Sequence, residues 1–144
     1  MRDKKVLLID DDDSLRRVVE VFLQDFGIQV TSAATGARGL ELFTHDPPAL
    51  VITDIQMEGM SGLDVLKKIK AEVPDTMVIV ITAFGTVETA VHAMKMGAFD
   101  YLTKPFSRDQ LKMAVEKAFN FIELQEENSI LRARLSVESF PSII

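Results

Sequence analysis

An apolar run at residues 6–9 is followed, without a spacer, by four consecutive aspartates at 10–13. Four like charges directly after a buried strand repel one another, so they require solvent or a bound cation around them. A second apolar run, 50–53, ends in the same way on one carboxylate, Asp54. Two strands that each deliver acid at the carboxyl end predict one shared pocket, suited to a hard metal ion and a phosphoryl group.

Short apolar runs recur along the chain, and a run such as 77–81 does not alternate with polar residues, as expected for strands covered on both faces. Segments of helical period separate these runs, and Gly27 and Gly97 follow two of them as helix stops. A β-α series with right-handed crossovers forms a doubly wound parallel sheet. We predict an α/β, flavodoxin-like sheet of five parallel strands in the order 2-1-3-4-5, with five helices, the last one extended. The predicted strands are 5–9, 28–33, 49–53, 77–81 and 99–103.

The composition of the chain argues against several classes of function. The chain has 144 residues, which suits one domain, and its net charge of −6 argues against direct nucleic-acid binding. The absence of cysteine excludes disulfides, thiol catalysis and cysteine-bound zinc. No apolar run approaches the roughly 20 residues that span a bilayer, so we expect no membrane association and a cytoplasmic location.

The other predicted strands also end in chemically useful groups. The fourth ends in Thr82, and the fifth leads to Lys104. In a sheet of this order the ligand site lies where strands 1 and 3 diverge, outside the carboxyl ends. Paired acids, a single acid, a hydroxyl and an amine at four strand ends are together specific for phosphoryl chemistry.

Charge suggests a role for each of these groups. Mg²⁺ prefers oxygen ligands and takes only a few from protein; Asp11 and Asp54 are the first choices, with Asp10 beside them. Asp54 is the expected nucleophile, a carboxylate that attacks phosphorus and forms an acyl phosphate. The Lys104 ammonium would offset charge on the transferring oxygens. Thr82 could hydrogen-bond a phosphoryl oxygen.

With these motifs, residues 4–122 resemble the receiver domain of two-component response regulators. The resemblance implies that Asp54 accepts a phosphoryl group from a sensor histidine kinase. It also implies that Asp10 and Asp11 form the acidic pair of a Mg²⁺ site, with the backbone carbonyl of Gln56 as a further ligand. Such a domain is a signalling switch, and it catalyses only its own phosphorylation and dephosphorylation.

The same resemblance assigns the switch residues. Thr82 becomes the switch hydroxyl and Lys104 the phosphate-contacting lysine. Tyr101 falls at the position of the switch aromatic, which swings inward when Thr82 moves. The family also implies a cis peptide between Lys104 and Pro105.

Two positions depart from the commonest pattern of that family. Glu58 stands where the family usually has proline, which adds a negative charge near the pocket and removes a rigid turn residue. Phe84, two residues after Thr82, is large and apolar at a position that tunes dephosphorylation.

Simpler interpretations remain for some of these residues. Asp12 and Asp13 are typical of a solvated helix start, where acid is favoured by the helix dipole. Thr82 could cap the helix that follows it. Tyr101 could be an ordinary half-buried strand aromatic.

The C-terminal part predicts a long helix. From Ser107, a plausible N-cap, no glycine or proline occurs until Pro141, and we expect a helix over about 108–135. We divide the chain into a receiver domain, 1–122, and a linker helix, 123–144.

A heptad pattern in this helix indicates a parallel coiled-coil dimer. Asn128 falls at an a position, where a buried amide selects a two-stranded pairing. Glu127 at g and Arg132 at the following e suit an interhelical ion pair. The alternative is a solvated helical linker. The predicted dimer residues are Phe121, Leu124, Asn128, Leu131 and Leu135.

The apolar ending, 140–144, indicates a junction with a C-terminal output domain outside this chain. Receiver, long helix and junction resemble the N-terminal part of nitrogen-regulatory-class activators, which carry a sigma-54-activating AAA+ ATPase. A different output domain remains an alternative.

Other functional classes also remain open. A haloacid-dehalogenase-like phosphohydrolase would need a second aspartate where Gln56 stands, and a flavin mononucleotide carrier would suffer repulsion from the acids. A dimerisation module that is independent of phosphorylation would associate equally with and without a phosphoryl mimic.

Overall fold

The computed structural model describes residues 4–83 and 87–143, with the side chains of 129 and 132–143 excepted. Strands and helices alternate throughout this part of the chain. Their bounds are β1 Lys5–Ile9, α1 Asp13–Asp25, β2 Gln29–Ala33, α2 Gly36–His45, β3 Leu50–Asp54, α3 Gly62–Glu72, β4 Met77–Ala83, α4 Val87–Lys95, β5 Asp100–Lys104 and α5 Arg108–Ile143.

The five strands form one sheet in the order β2-β1-β3-β4-β5, and each neighbouring pair is parallel. The predicted fold class and strand order are confirmed. The predicted bounds were wrong at β4, which continues beyond 81 to Ala83. Thr82 pairs with Thr103 of β5, and this pairing keeps Thr82 inside the strand.

Both faces of the sheet are covered by helices. Along β1, Val6 and Leu8 belong to one apolar cluster, while Leu7 and Ile9 belong to the other. The first cluster includes buried residues of α1 and α5, and the second includes residues of α2, α3 and α4. Since successive strand residues point to opposite faces, a run without polar residues is required here, as the sequence predicts.

Two helix starts use the residues expected of them. Asp12 is the N-cap of α1, and its Oδ1 accepts a hydrogen bond from the Leu15 N–H at 3.1 Å. Asp13 is the first residue of that helix. At α5, the Ser107 Oγ accepts from the Gln110 N–H and the Gln110 Oε1 accepts from the Ser107 N–H, which is a reciprocal cap.

The last helix is longer than predicted. α5 has 36 residues and extends to Ile143, whereas the sequence predicts an end near 135. The division proposed between 122 and 123 falls inside this helix and stays a prediction. No helix in the described ranges has the length and apolarity to cross a bilayer.

Helix α3 begins very close to the end of β3. Ser61 is its N-cap and forms a capping box with Asp64. The Gly62 N–H donates to the Ile55 carbonyl oxygen at 2.8 Å. A Cβ atom at position 62 would lie 2.0 Å from the carbonyl oxygen of Asp54, so this approach requires glycine. The packing of α3 therefore depends directly on the backbone that carries Asp54.

Replacing Gly62 by alanine should lower the free energy of unfolding by about 1–3 kcal/mol, since the added methyl group would overlap backbone rather than a movable side chain. Urea unfolding followed by far-UV circular dichroism measures the effect. The matched control is Lys67→Ala, at an exposed position of the same helix, which should change stability by less than about 0.5 kcal/mol. An unfolding free energy for G62A equal to or above that of the unsubstituted chain would contradict the prediction.

Candidate functional site

The structure brings three acidic side chains together at the carboxyl edge of the sheet. Asp10 follows β1, Asp11 is next to it, and Asp54 is the last residue of β3. One carboxylate oxygen from each lies within 4.8 Å of the others. Asp10 and Asp54 are buried, whereas Asp11 is exposed. Asp12 and Asp13 are absent from this group, in agreement with their place at the start of α1.

Backbone N–H groups orient the two buried carboxylates. The Asp12 N–H donates to Asp10 Oδ1 at 2.9 Å, and the Gln56 N–H donates to Asp54 Oδ1 at 3.1 Å. Each donor is two residues beyond its acceptor, so the turn that ends the strand also positions the acid. The expectation that Gln56 presents its carbonyl oxygen to a metal stays a prediction.

Asp10 retains an unsatisfied oxygen. Its Oδ2 is buried and has no hydrogen-bond partner among the described residues. Burial raises the pKa of Asp10 to about 6, and the charge of Asp54 adds to this, although the hydrogen bond from Asp12 opposes it. An orphaned carboxylate oxygen beside two other carboxylates is a donor set that fits a hard divalent cation.

Lys104 contacts the acidic group from the end of β5. Its Nζ lies 2.7 Å from Asp54 Oδ2 in an ion pair whose Asp54 side chain is buried and whose Lys104 side chain is partly exposed. Burial alone would lower the pKa of Lys104, but the hydrogen bond and charge of Asp54, with smaller effects of Asp10 and Asp12, raise it overall. Lys104 is therefore a firmly protonated cation at this site. The peptide bond between Lys104 and Pro105 is cis, as the resemblance implied.

Thr82 and Tyr101 lie on neighbouring strands with different exposure. Thr82 is buried in β4, while Tyr101 of β5 is 43% exposed. Val80 pairs with Tyr101 and Thr82 with Thr103, which places Thr82 and Tyr101 on the same face of the sheet. Their roles as a switch pair stay predictions, and Phe84 lies outside the described residues.

The predicted dimer residues do not share one environment. Phe121 packs against Phe99 of its own domain, with ring centroids 5.4 Å apart. Leu124, Asn128 and Leu131 are exposed along α5. The side chain of Leu135 is outside the described part of the chain.

One residue near the site was missed at the sequence level. Arg16 donates from Nη1 to the Asp10 carbonyl oxygen at 2.7 Å and from Nη2 to Asp13 Oδ1 at 2.7 Å. It thus ties α1 to the backbone of the acidic loop. The spacing of three residues between Asp13 and Arg16 was a usable signal for the second contact, but nothing in the pattern indicated the first.

Residues 6–116 match the model of the response regulator receiver domain. The chain belongs to this family. Receiver domains are signalling domains, and the three acids at the sheet edge match the acidic group through which such domains bind Mg²⁺. The predicted family, fold and signalling class are therefore confirmed.

Named relatives point to one branch of the family. The chain is 38% identical over 132 residues to a putative NtrX-like response regulator of Rickettsia bellii, covering 90% of this chain and 28% of that protein. It is 40% identical over 122 residues to the DNA-binding transcriptional regulator NtrC of Escherichia coli K12, covering 85% of this chain and 26% of that protein. The chain thus spans between a quarter and a third of these relatives.

Solved structures agree with this assignment. NtrX from Brucella abortus, in complex with ADP, matches with a TM-score of 0.86 and 33% identity, over 90% of this chain and 30% of that one. A receiver domain protein from Clostridium thermocellum matches with a TM-score of 0.81 and 36% identity, over 85% of this chain and 98% of that one. The matched region of this chain corresponds to nearly the whole of that crystallised chain.

The raised pKa of Asp10 predicts a pH-dependent stability. In the metal-free folded chain this pKa is about 6, against 3.8 when the group is unperturbed. Between these pH values the folded state binds more protons than the unfolded state, so stability falls as the pH rises through this window. With EDTA present, Asp10→Asn should therefore raise the free energy of unfolding at neutral pH by about 1–3 kcal/mol.

Urea unfolding at a series of pH values checks this expectation. The gain from Asp10→Asn should shrink as the pH falls through the window and be nearly gone at its acid end. Glu123→Gln changes an exposed carboxylate in the middle of α5 and should leave the pH profile unaltered. If the free energy of unfolding of D10N had the same pH dependence as that of the unsubstituted chain, a group other than Asp10 would be its cause.

Proposed function

We propose that this chain is the phospho-accepting switch of a two-component system and that Asp54 is the residue that becomes phosphorylated. The observation that carries this proposal is the buried Asp54 carboxylate, which contacts the Lys104 ammonium and lies within 4.8 Å of the acidic pair. A carboxylate oxygen of Asp54 attacks phosphorus and the P–N bond of a histidine kinase's phosphohistidine breaks, while the imidazole, whose other ring nitrogen already carries a proton, leaves as the neutral ring. The product is an aspartyl phosphate.

Asp10, Asp11, Asp54 and the carbonyl oxygen of Gln56 would hold Mg²⁺ in this site. The ion would neutralise charge on the transferring phosphoryl oxygens. Lys104 contributes a positive charge at 2.7 Å from Asp54 Oδ2. Because phosphoryl transfer depends mainly on positioning and charge stabilisation, these side chains are sufficient without an additional acid or base.

Thr82 and Tyr101 would convert the new phosphoryl group into a surface change. The buried Thr82 hydroxyl moves to hydrogen-bond a phosphoryl oxygen, and Tyr101 moves inward on the same face of the sheet. The half-exposed position of Tyr101 supports this proposal, since the ring has an outward state from which to move. The surface made by α4, β5 and α5 changes with it.

The output of the switch lies outside this chain. NtrX-like proteins and NtrC are several times longer than the matched region, so we propose a C-terminal output domain after the linker helix, 123–144. By its likeness to the nitrogen-regulatory class, this would be an AAA+ ATPase that activates sigma-54 RNA polymerase. A cognate histidine kinase, a cytoplasmic location and the lack of nucleic-acid contacts by this chain are parts of the same proposal.

The linker part of α5 would pair with a second copy as a parallel coiled coil. Leu124, Asn128 and Leu131 are exposed on one side of the helix, and Leu135 continues their heptad spacing. Phe121 contacts Phe99 in its own domain, which makes it the link between receiver and coiled coil. Phosphorylation would then alter the geometry of the dimer.

Asp54→Asn should abolish phosphorylation by acetyl phosphate in the presence of Mg²⁺, because an amide is not a nucleophile for phosphorus. Intact-mass spectrometry measures the added phosphoryl group. The control Asp75→Asn changes an exposed acid just before β4, at the opposite edge of the sheet, and should leave the modification within about twofold of normal. The proposal fails if D54N accepts phosphate at the rate of the unsubstituted chain.

Leu131→Asp should weaken the dimer, because a charge would enter a d position of the apolar seam. We expect the dimer dissociation constant to rise at least about tenfold, equivalent to about 1.4 kcal/mol, as measured by analytical ultracentrifugation. Ile130→Asp is a matched control, since Ile130 is exposed to a similar degree, 56% against 51%, but lies off the heptad seam. Equal weakening by both substitutions would count against the coiled coil.

A further inference from the structure

Each of the three clustered carboxylates accepts a hydrogen bond from a backbone N–H. For Asp10 and Asp54 the donor is two residues along the same loop. For Asp11 the donor is the N–H of Glu58, 47 residues away in sequence, at 3.2 Å from Asp11 Oδ2. This third bond differs from the others because it joins two loops, the one after β1 and the one after β3.

We infer that the main-chain N–H of Glu58 is a positioning group for the cation site, which fixes the Asp11 carboxylate toward Asp10 and Asp54. The inference rests on the proposed function, in which these three acids hold Mg²⁺. The first two hydrogen bonds form whenever each loop takes its local turn. The bond from Glu58 forms only when both loops take their native relative positions.

Exposure explains why Asp11 needs this contact. Asp10 and Asp54 are buried and their rotamers are restricted by packing, whereas Asp11 is exposed. An exposed side chain is free to change rotamer, and ordering it upon metal binding costs free energy. A hydrogen bond to Oδ2 restricts the carboxylate in advance and leaves Oδ1 available as a ligand.

Asp11 and the second loop also share a shallow, open surface depression beside the cluster. Its lining residues from the second loop are Ile55, Gln56, Met57, Glu58 and Ser61. The N–H donors of Gln56 and Glu58 are two positions apart, so one short segment holds two different carboxylates of the cluster. Proline, which the resemblance leads one to expect at position 58, has no N–H. The contact therefore exists because this chain departs from that pattern.

The charge of the Glu58 side chain acts on a cation independently of the hydrogen bond from its main-chain N–H. Its carboxylate is exposed, so its attraction for a cation is weakened by water and salt. Glu58→Gln removes this charge and keeps the N–H, whereas Glu58→Pro removes both. The difference between these two variants isolates the backbone contribution together with the stiffness of proline.

Isothermal titration calorimetry with MgCl₂ on the unphosphorylated chain tests the inference. We expect the Kd for Mg²⁺ to rise about tenfold in E58P, at the low end for groups that orient a metal ligand, and less than about twofold in E58Q. If E58P binds Mg²⁺ as tightly as E58Q, the inference is wrong. If the unsubstituted chain itself fails to bind Mg²⁺, the proposed function fails instead, so the two failures are distinguishable.

A second measurement needs neither proline nor metal. In the metal-free chain with EDTA, the Glu58 amide proton should give a downfield NMR signal that moves upfield in Asp11→Ala, because the acceptor is lost. Asp75→Ala, which removes an exposed acid at the opposite edge of the sheet, should leave this signal in place. A Glu58 amide signal that is the same in D11A and in the unsubstituted chain would overturn the inference, whatever the affinity of E58P.

Discussion

The repulsion among three carboxylates at one edge of the sheet is the constraint on which the rest of this structure depends. Asp10, Asp11 and Asp54 come within 4.8 Å of one another, and two of them are buried. Without compensation such a group would separate. Lys104 supplies charge at 2.7 Å, and backbone N–H groups supply directed hydrogen bonds. Burial, together with the repulsion that remains, raises the pKa of Asp10, and a bound cation would offset both effects.

The doubly covered sheet allows this arrangement to be precise. Because helices pack on both faces, the strands have little freedom to shift, and their ends hold the site residues at fixed separations. The close approach of Gly62 to the Asp54 carbonyl oxygen is one result. The helix start and the strand end that carries Asp54 act as one packed unit, so geometry at the site and stability of the fold are not independent.

Most of the architecture could be predicted from the sequence because it follows from the periodicity of apolar residues. Unbroken runs predict strands that are buried on both sides, and acids placed directly after such runs predict where the site lies. The parallel order then brings Asp54, Thr82 and Lys104 to one edge. The family resemblance contributed predictions that periodicity does not contain, namely the proposed roles of Tyr101 and of the Gln56 carbonyl group.

What the sequence did not indicate depends on distances between segments remote from each other. The contact between Arg16 and the Asp10 carbonyl oxygen requires a particular rotamer, and the bond from Glu58 to Asp11 requires a particular loop path. The length of β4 was also missed, because polar Thr82 looks like a strand end although its pairing with Thr103 continues the sheet. These features depend on tertiary contacts, which a local sequence pattern does not predict.

The unbroken backbone of α5 has a mechanical consequence. Its first turns are packed on the sheet through Leu111, Val115 and Ala118, and the same helix continues to Ile143. Beyond residue 122 it therefore extends on the order of 30 Å further. A tilt of about 5° where the helix rests on the sheet would move the far end by about 3 Å over that length. A displacement too small to disturb the core would thus become, at the end of the helix, about half of the roughly 5–6 Å between neighbouring side chains on a helix surface.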